Sequence, residues 1–380
     1  KVPPVVNNST VPPVTNTTKV PPVVNNSTVP PVTNTTTPVF PQGVTIISTV
    51  AQLTSALNNA ISGSTIYLSS GVFNINGLTI SKNIILQGAG QNLTIFNGNG
   101  NSILTVGNVQ ATINDIQFVG GASSYGGALT NDGTLTLNRD TFTGNTASKY
   151  GGAINNNKIL NVNNCLFTNN TTPGAFEIGY GSGSAILNNA GCTLAVTKST
   201  FSGNTAGSYA AIFQLGSGTI TNCNFINNTS GEGSSVYTSG IAANSQVTNC
   251  TFTDNQAISG AGGALSEYHS NSNVVNCTFT GNSALKGGGA IYNDGQDTSA
   301  SVQSSITVSG STFINNKAGS NYGGGAIMTY AGPMTVSNST FTGNTAGNGG
   351  ALYNYDGVFV LNNNTVSGNS APAISQVTGG

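Results

Sequence analysis

The sequence predicts an all-β protein. We read it as a right-handed parallel β-helix, wound as a three-sided solenoid, with a short N-terminal capping helix and an extended Pro/Thr/Asn-rich tail. Three observations lead there. A pair of motifs recurs through the body, its phenylalanines 24 to 34 residues apart, which is the mark of a repeat architecture. The apolar residues, 37% of 380, fall in short runs between Gly and Asn, which suits short strands and turns. Charged residues are only 5% of the chain, so hydroxyls and amides keep the surface polar.

The tail comes first. Residues 1–18, KVPPVVNNSTVPPVTNTT, return unchanged as residues 19–36. Pro-Pro pairs forbid helix, remove ladder donors and favour extended polyproline II. The chain therefore divides into a duplicated tail over 1–40 and a β-helix over 41–380. The tail reads either as a solvated stalk or as an arm that docks on a neighbouring subunit. Its candidate assembly residues are Val2, Pro3 and Pro4 with their copies Val20, Pro21 and Pro22. Sequons cluster there, at Asn8, Asn16, Asn26 and Asn34, and recur in the body, for example at Asn92 and Asn338. They are glycosylation candidates of an extracellular chain.

A capping helix is expected next. Over residues 50–61, VAQLTSALNNAI, the side chains of Val50, Leu53, Ala56, Leu57 and Ile61 share one helical face. Strand-like runs follow at Thr65–Leu68, Leu78–Ile80 and Ile84–Leu86. A helix here would cover the first coil, whose open edge invites aggregation.

The repeat then carries the fold. The pattern apolar-x-x-[Cys/Ser]-x-Phe-x-x-Asn runs from Leu137–Asn145 through Val274–Asn282 to Val336–Asn344. It alternates with Gly-Gly-Ala-aliphatic, as at Gly126–Leu129, Gly262–Leu265 and Gly349–Leu352. One coil of three short strands accounts for each repeat. Each Phe should stack on the Phe one coil away, at the strand spacing of about 4.8 Å. The Asn should sit at a corner and join a ladder of amides. The Gly pair permits a tight bend and close coil approach, with Ala packed inside. Longer repeats near 171–190 and 295–307 read as loop insertions that leave the coil intact.

Composition excludes several function classes. Net charge is −1, with one Arg (Arg139) and one His (His269), so there is no basic patch to hold phosphates or nucleic acid. No run reaches the roughly 18 apolar residues of a membrane span. No cofactor or metal site is expected, because no Cys-x-x-Cys occurs. Of the five cysteines, Cys165, Cys223, Cys250 and Cys277 share one repeat position with Ser199, Ser311 and Ser339; Cys192 does not. Cys223, Cys250 and Cys277 should stack as buried thiols. Arg139 reads as a solvated turn residue. The best acidic pair is Glu267 and Asp294, each following a Gly-Gly-Ala motif on adjacent coils with His269 nearby. Chance proximity in exposed turns explains that pair better than catalysis does. Tyr125, Tyr150, Tyr209 and Tyr322 precede or begin the Gly corner, where they suit either sugar binding or corner packing.

The alternating motifs resemble the repeats of chlamydial polymorphic outer-membrane proteins and of adhesin-like surface proteins of methanogenic archaea. The segment from Val44 to about Gly98, with ILQGAGQNLTIFNG, is similar to the opening of pectin-lyase-like β-helices. Together these cover residues 44–380. The resemblance implies a cell-surface setting and says little of molecular function, because such folds host lyases, hydrolases and adhesins alike. The reading is a non-enzymatic, adhesin-like protein that self-associates into a filament or layer through its tail and solenoid ends. The alternatives are a carbohydrate-active enzyme using Glu267 and Asp294, and a monomeric adhesin that binds surface glycans.

Overall fold

The computed structural model describes residues 40–371, apart from residues 91, 175–180, 241–242, 296–303 and 320–322. The tail candidates Val2, Pro3, Pro4, Val20, Pro21 and Pro22, with Asn8, Asn16, Asn26, Asn34 and Tyr322, lie outside the described residues.

The body is a right-handed parallel β-helix. Wall 1 stacks thirteen strands from Ile46–Ile47 to Phe359–Asn362. Wall 2 stacks twelve, from Gly71–Asn74 to Thr365–Ser367, and wall 3 eleven, from Leu78–Ile80 to Leu352–Asn354. A fourth, narrower ladder of eight strands, from Ala122–Tyr125 to Lys317–Ala318, bridges wall 2 to wall 3. Three strands per coil had been expected. The fourth is often two residues long, as at Thr205–Ala206, too short to leave a periodic signal. Both longer repeats rejoin the ladder in register. Ile186 pairs with Ile154, and Ser305 with Asn271.

The corners follow from residue chemistry. Between walls 1 and 2 the chain passes through one left-handed residue per coil, φ 58° at Asp115, 57° at Arg139, 56° at Asn222 and 51° at Asn363. Asn and Asp tolerate that region because their short side chains bond locally. Before wall 3 the first Gly of the Gly-Gly-Ala motif takes the same role at Gly126, Gly151, Gly262, Gly288 and Gly324, with φ 68° at Gly262. A Cβ on the second, Gly263, would strike the carbonyl of Gly289 one coil away.

Inside, the predicted columns form. Phe118 to Phe341 stack ring on ring along wall 2, at 4.7 to 4.9 Å and within 9° of parallel. The first contacts, Phe73 on Phe96 and Phe96 on Phe118, are edge-on instead. Beside them runs a buried amide ladder from Asn145 to Asn369, in which each Nδ2 donates to the next Oδ1 at 2.8 to 3.0 Å. Each Nδ2 also donates to the Phe carbonyl of the preceding coil, as Asn255 does to Phe225 at 3.0 Å. The buried amides of this ladder are thus paired, as burial requires.

The Cys/Ser position makes a third column, in which each side chain accepts from the backbone N–H one coil earlier. Cys223 N–H donates to Cys250 Sγ and Cys250 N–H to Cys277 Sγ, both at 3.4 Å, and Cys277 N–H donates to Ser311 Oγ at 3.1 Å. All five cysteines are buried and free. Asp140 occupies the same position, fully buried, and takes the Ile116 N–H at 2.8 Å.

The capping helix, α1, spans Val50–Asn59, with Thr49 and Gln52 forming a reciprocal capping box. Leu53 and Leu57 enter the core. Ile61 does not, being 80% exposed. Ala60 leaves the helical region at ψ 138°, so the expected face ends one turn early.

Candidate functional site

Wall 3 alternates strictly, one residue inward and the next outward. The outward row runs in register through Thr130, Asn155, Leu187, Phe213, Tyr237, Ser266, Tyr292, Met328 and Tyr353. Two residues further along each strand, a second outward row holds Tyr268, Asp294, Tyr330 and Tyr355. Just before the Gly corner a third row holds Tyr125, Tyr150, Ser182, Tyr209, Glu232, Ala261, Gly287 and Gly323, tied coil to coil through Gly N–H donors and, at Glu232, the Ala210 N–H.

These rows exchange bulk along the solenoid. In the early coils Tyr125 and Tyr150, ring centroids 5.9 Å apart, flank the small outward residues Thr130 and Asn155. In the middle, Tyr209 meets Tyr237 at 4.2 Å and Phe213 at 5.5 Å. Leu187, Ala210, Phe213 and Tyr237 thereby form a second apolar cluster, separate from the solenoid core. In the late coils the corner row shrinks to glycine while the strand row grows. A Cβ on Gly287 would collide with Met328 Sδ, and one on Gly323 with the Tyr353 ring.

A groove of about 370 Å³ opens on these late coils. It is lined by Tyr292, Met328, Tyr330, Tyr353 and Tyr355, with Lys286 at its side. Tyr330 and Tyr355 stack at 4.7 Å and 15°. Tyr292 Oη donates to Asp294 Oδ2 at 3.3 Å, and burial and then the Asp294 charge raise the Tyr292 phenol above its ordinary range. Glu232 is pushed up to about 7, by burial first and then by the charge of Asp294, with Lys286 pulling it back. The groove therefore offers flat aromatic faces and one ammonium donor, with the Asp294 carboxylate bonded to one of its tyrosines. That set suits a ring with an apolar face and hydroxyl edges.

Glu267 and Asp294 do not converge. Glu267 pairs in register with Asn293, and Asp294 with Tyr268. Glu267 is 3% exposed on the inner row, where Ser270 Oγ donates to its Oε2 at 2.6 Å, while Asp294 stands on the outer face. The Asp294 charge acts instead on Glu232, in the row before the Gly corner. His269 packs on the Tyr268 ring at 4.0 Å. Arg139 is more than a solvated turn residue, because its guanidinium donates to both oxygens of Asp115, each at 2.7 Å. The sequons at Asn92 and Asn338 are exposed. Among the described residues, no helix is long and apolar enough to cross a membrane.

Sequence reasoning missed the late-coil groove and Glu232. Its four tyrosines sit at repeat positions other than the pre-corner one, so a search for one Tyr row passes over them. The parity of each residue after Gly-Gly-Ala was the available signal.

Residues 184–371 match the family model of the right handed beta helix region, and residues 141–157 match the Chlamydia polymorphic membrane protein repeat. The second match spans Phe142–Asn145 and Gly151–Ile154, the two motifs of one coil. The chain thus carries the resemblance that its motifs suggested. No curated protein matches it. Among solved structures it is similar to an alginate lyase from Paenibacillus sp. str. FPU-7, at 15% identity and TM-score 0.35 over 82% of this chain and 98% of the other. It is also similar to the pectin methylesterase PemA from Erwinia chrysanthemi, at 11% identity and TM-score 0.27 over 87% and 90%.

Proposed function

We propose that this chain is a non-enzymatic, extracellular adhesin-like β-helix that presents its late-coil groove to glycans at a cell surface. The observation that carries the reading is the convergence of Tyr292, Tyr330, Tyr353 and Tyr355 with Lys286 in one groove on a chain only 5% charged. Sugar rings stack on tyrosine through their C–H faces, and their hydroxyls bond to neighbouring carboxylates and amines. The match to a surface-protein repeat supports the setting. Screening the full chain on an immobilised glycan panel tests this. Binding that is lost in Tyr353→Ala supports it, and no binding to any neutral or acidic glycan contradicts it.

Self-association belongs to the same reading. Copies join into a filament or layer through the N-terminal tail and the solenoid ends. A net charge of −1 leaves little repulsion between copies. Electron microscopy should find ordered polymers of the full chain, reduced when Pro3, Pro4, Pro21 and Pro22 are all replaced by Ser. Monodisperse single particles at every concentration would contradict assembly.

A second reading has one observation in its favour. Glu232, raised to about 7 by burial first and then by the Asp294 charge, is a carboxyl suited to proton transfer near neutral pH. Glycan cleavage that disappears in Glu232→Gln would make the groove an active site. No turnover on a polysaccharide panel would leave it a binding site.

A further inference from the structure

The inner row of wall 3 is a buried polar ladder: Asn131, Asn156, Asn188, Gln214, Thr238, Glu267, Asn293 and Thr329. Where it is unbroken, each amide donates to the coil after it. Asn131 Nδ2 donates to Asn156 Oδ1 at 2.7 Å, Asn156 Nδ2 to Asn188 Oδ1 at 2.6 Å, and Asn293 Nδ2 to Thr329 Oγ1 at 3.1 Å. Glu267 stands one coil before Asn293 in register, and Asn293 Oδ1 is buried without a hydrogen-bond partner. An ionised Glu267 has no hydrogen to give, so two acceptors would face each other out of reach of water. A carboxylic acid has a hydroxyl where the ladder lacks its donor.

We propose that Glu267 is held as a neutral acid whose O–H donates to Asn293 Oδ1, making wall 3 a buried proton site beneath the tyrosine groove. The surroundings agree. The wall 1 strands across the corner, Asn244–Thr248, Asn271–Val275 and Ser305–Ser309, contain no titratable side chain. On the wall 3 strands before, with and after it, the titratable groups are Tyr237, Tyr268, Tyr292 and Asp294, all on the outward rows, with His269 at the corner. Burial pushes Glu267 up to about 7, against the opposing hydroxyls of Ser270, Ser272 and Thr238.

Because the folded value lies above the ordinary 4.5, this stabilisation is complete below about pH 4.5 and is lost as pH rises through about 7. Strand Ile291–Asp294 carries both Asn293 and Tyr292, so ionisation loosens the strand that holds one groove wall.

The test uses the full chain, which has three glutamates, Glu177, Glu232 and Glu267. Carbon-13 labelling of their carboxyls gives three signals to follow from about pH 4 to about pH 9. The Glu267 signal is assigned by its absence in Glu267→Gln, or by elimination with Glu177→Gln and Glu232→Gln if that variant does not fold. It should titrate near neutrality. Amide exchange protection of residues 265–268 and 291–294 should fall by up to about 300-fold over the same range. In Glu267→Gln, whose amide supplies the donor at every pH, protection should stay flat. A Glu267 signal that titrates at the ordinary carboxyl value overturns the proposal. So does equal pH dependence of protection in the wild type and Glu267→Gln.

Discussion

The two ends of wall 3 solve one packing problem with opposite residues. In the early coils the bulk sits before the corner, in Tyr125 and Tyr150, and the strand offers Thr130 and Asn155. In the late coils the corner residues are Gly287 and Gly323, and the bulk has moved to Tyr292, Met328 and Tyr353. The backbone ladders beneath are the same at both ends, with parallel register throughout. A solenoid can therefore change its outer surface coil by coil without disturbing its interior, because inward and outward residues belong to separate columns. The late arrangement leaves a groove between aromatic rings.

If that separation is real, interior changes should cost alike at both ends. Phe142→Ala and Phe313→Ala should each destabilise by about 3–5 kcal/mol, measured by denaturant unfolding of the full chain. Unequal costs would mean that the outer face contributes to the core. Next in size is the graft of the early solution onto the late coils. Gly323→Tyr forces a side chain into the Tyr353 ring, costing about 1–3 kcal/mol by overpacking and closing the groove. Adding Tyr353→Thr should restore stability, while glycan binding stays lost.

A finer contrast comes from affinity. Removing one stacked ring with Tyr353→Ala should weaken glycan binding by about 1–1.5 kcal/mol, roughly tenfold in Kd, by titration calorimetry. Tyr125→Ala should leave it unchanged. The smallest effect belongs to the thiol column. Cys250→Ser places the residue already used at Ser199, Ser311 and Ser339, so its cost should stay below about 1 kcal/mol by the same unfolding measurement. Burial pushes the Cys165 and Cys192 thiols upward, and a thiol-specific reagent should leave the native chain largely unlabelled.

Much of this fold is legible in the sequence. The Phe stack, the corner Asn and the Gly-Gly-Ala bend each occupy one repeat position, and a column in space is a repeat position in sequence. What escaped was whatever depends on offset rather than motif. Glu267 lies three residues after Ala264 and Asp294 four after Ala290. That single step puts them on opposite faces of the wall, since a slip of one residue reverses every side chain in a strand. Nearness to the same motif therefore suggested a pair that parity forbids. The groove escaped for a related reason, because its rings come from rows that trade size along the axis. The fourth ladder was hidden by its brevity. Ile61 was misplaced because helical periodicity alone does not locate a helix end.

The central claim is that recognition belongs to the late coils of wall 3. Amide exchange of the full chain, with and without a bound oligosaccharide taken from the glycan panel, tests it most directly. Protection should rise over residues 286–292, 328–330 and 353–355 and stay level over 125–155. A footprint on the early coils, or on wall 1, would contradict the account.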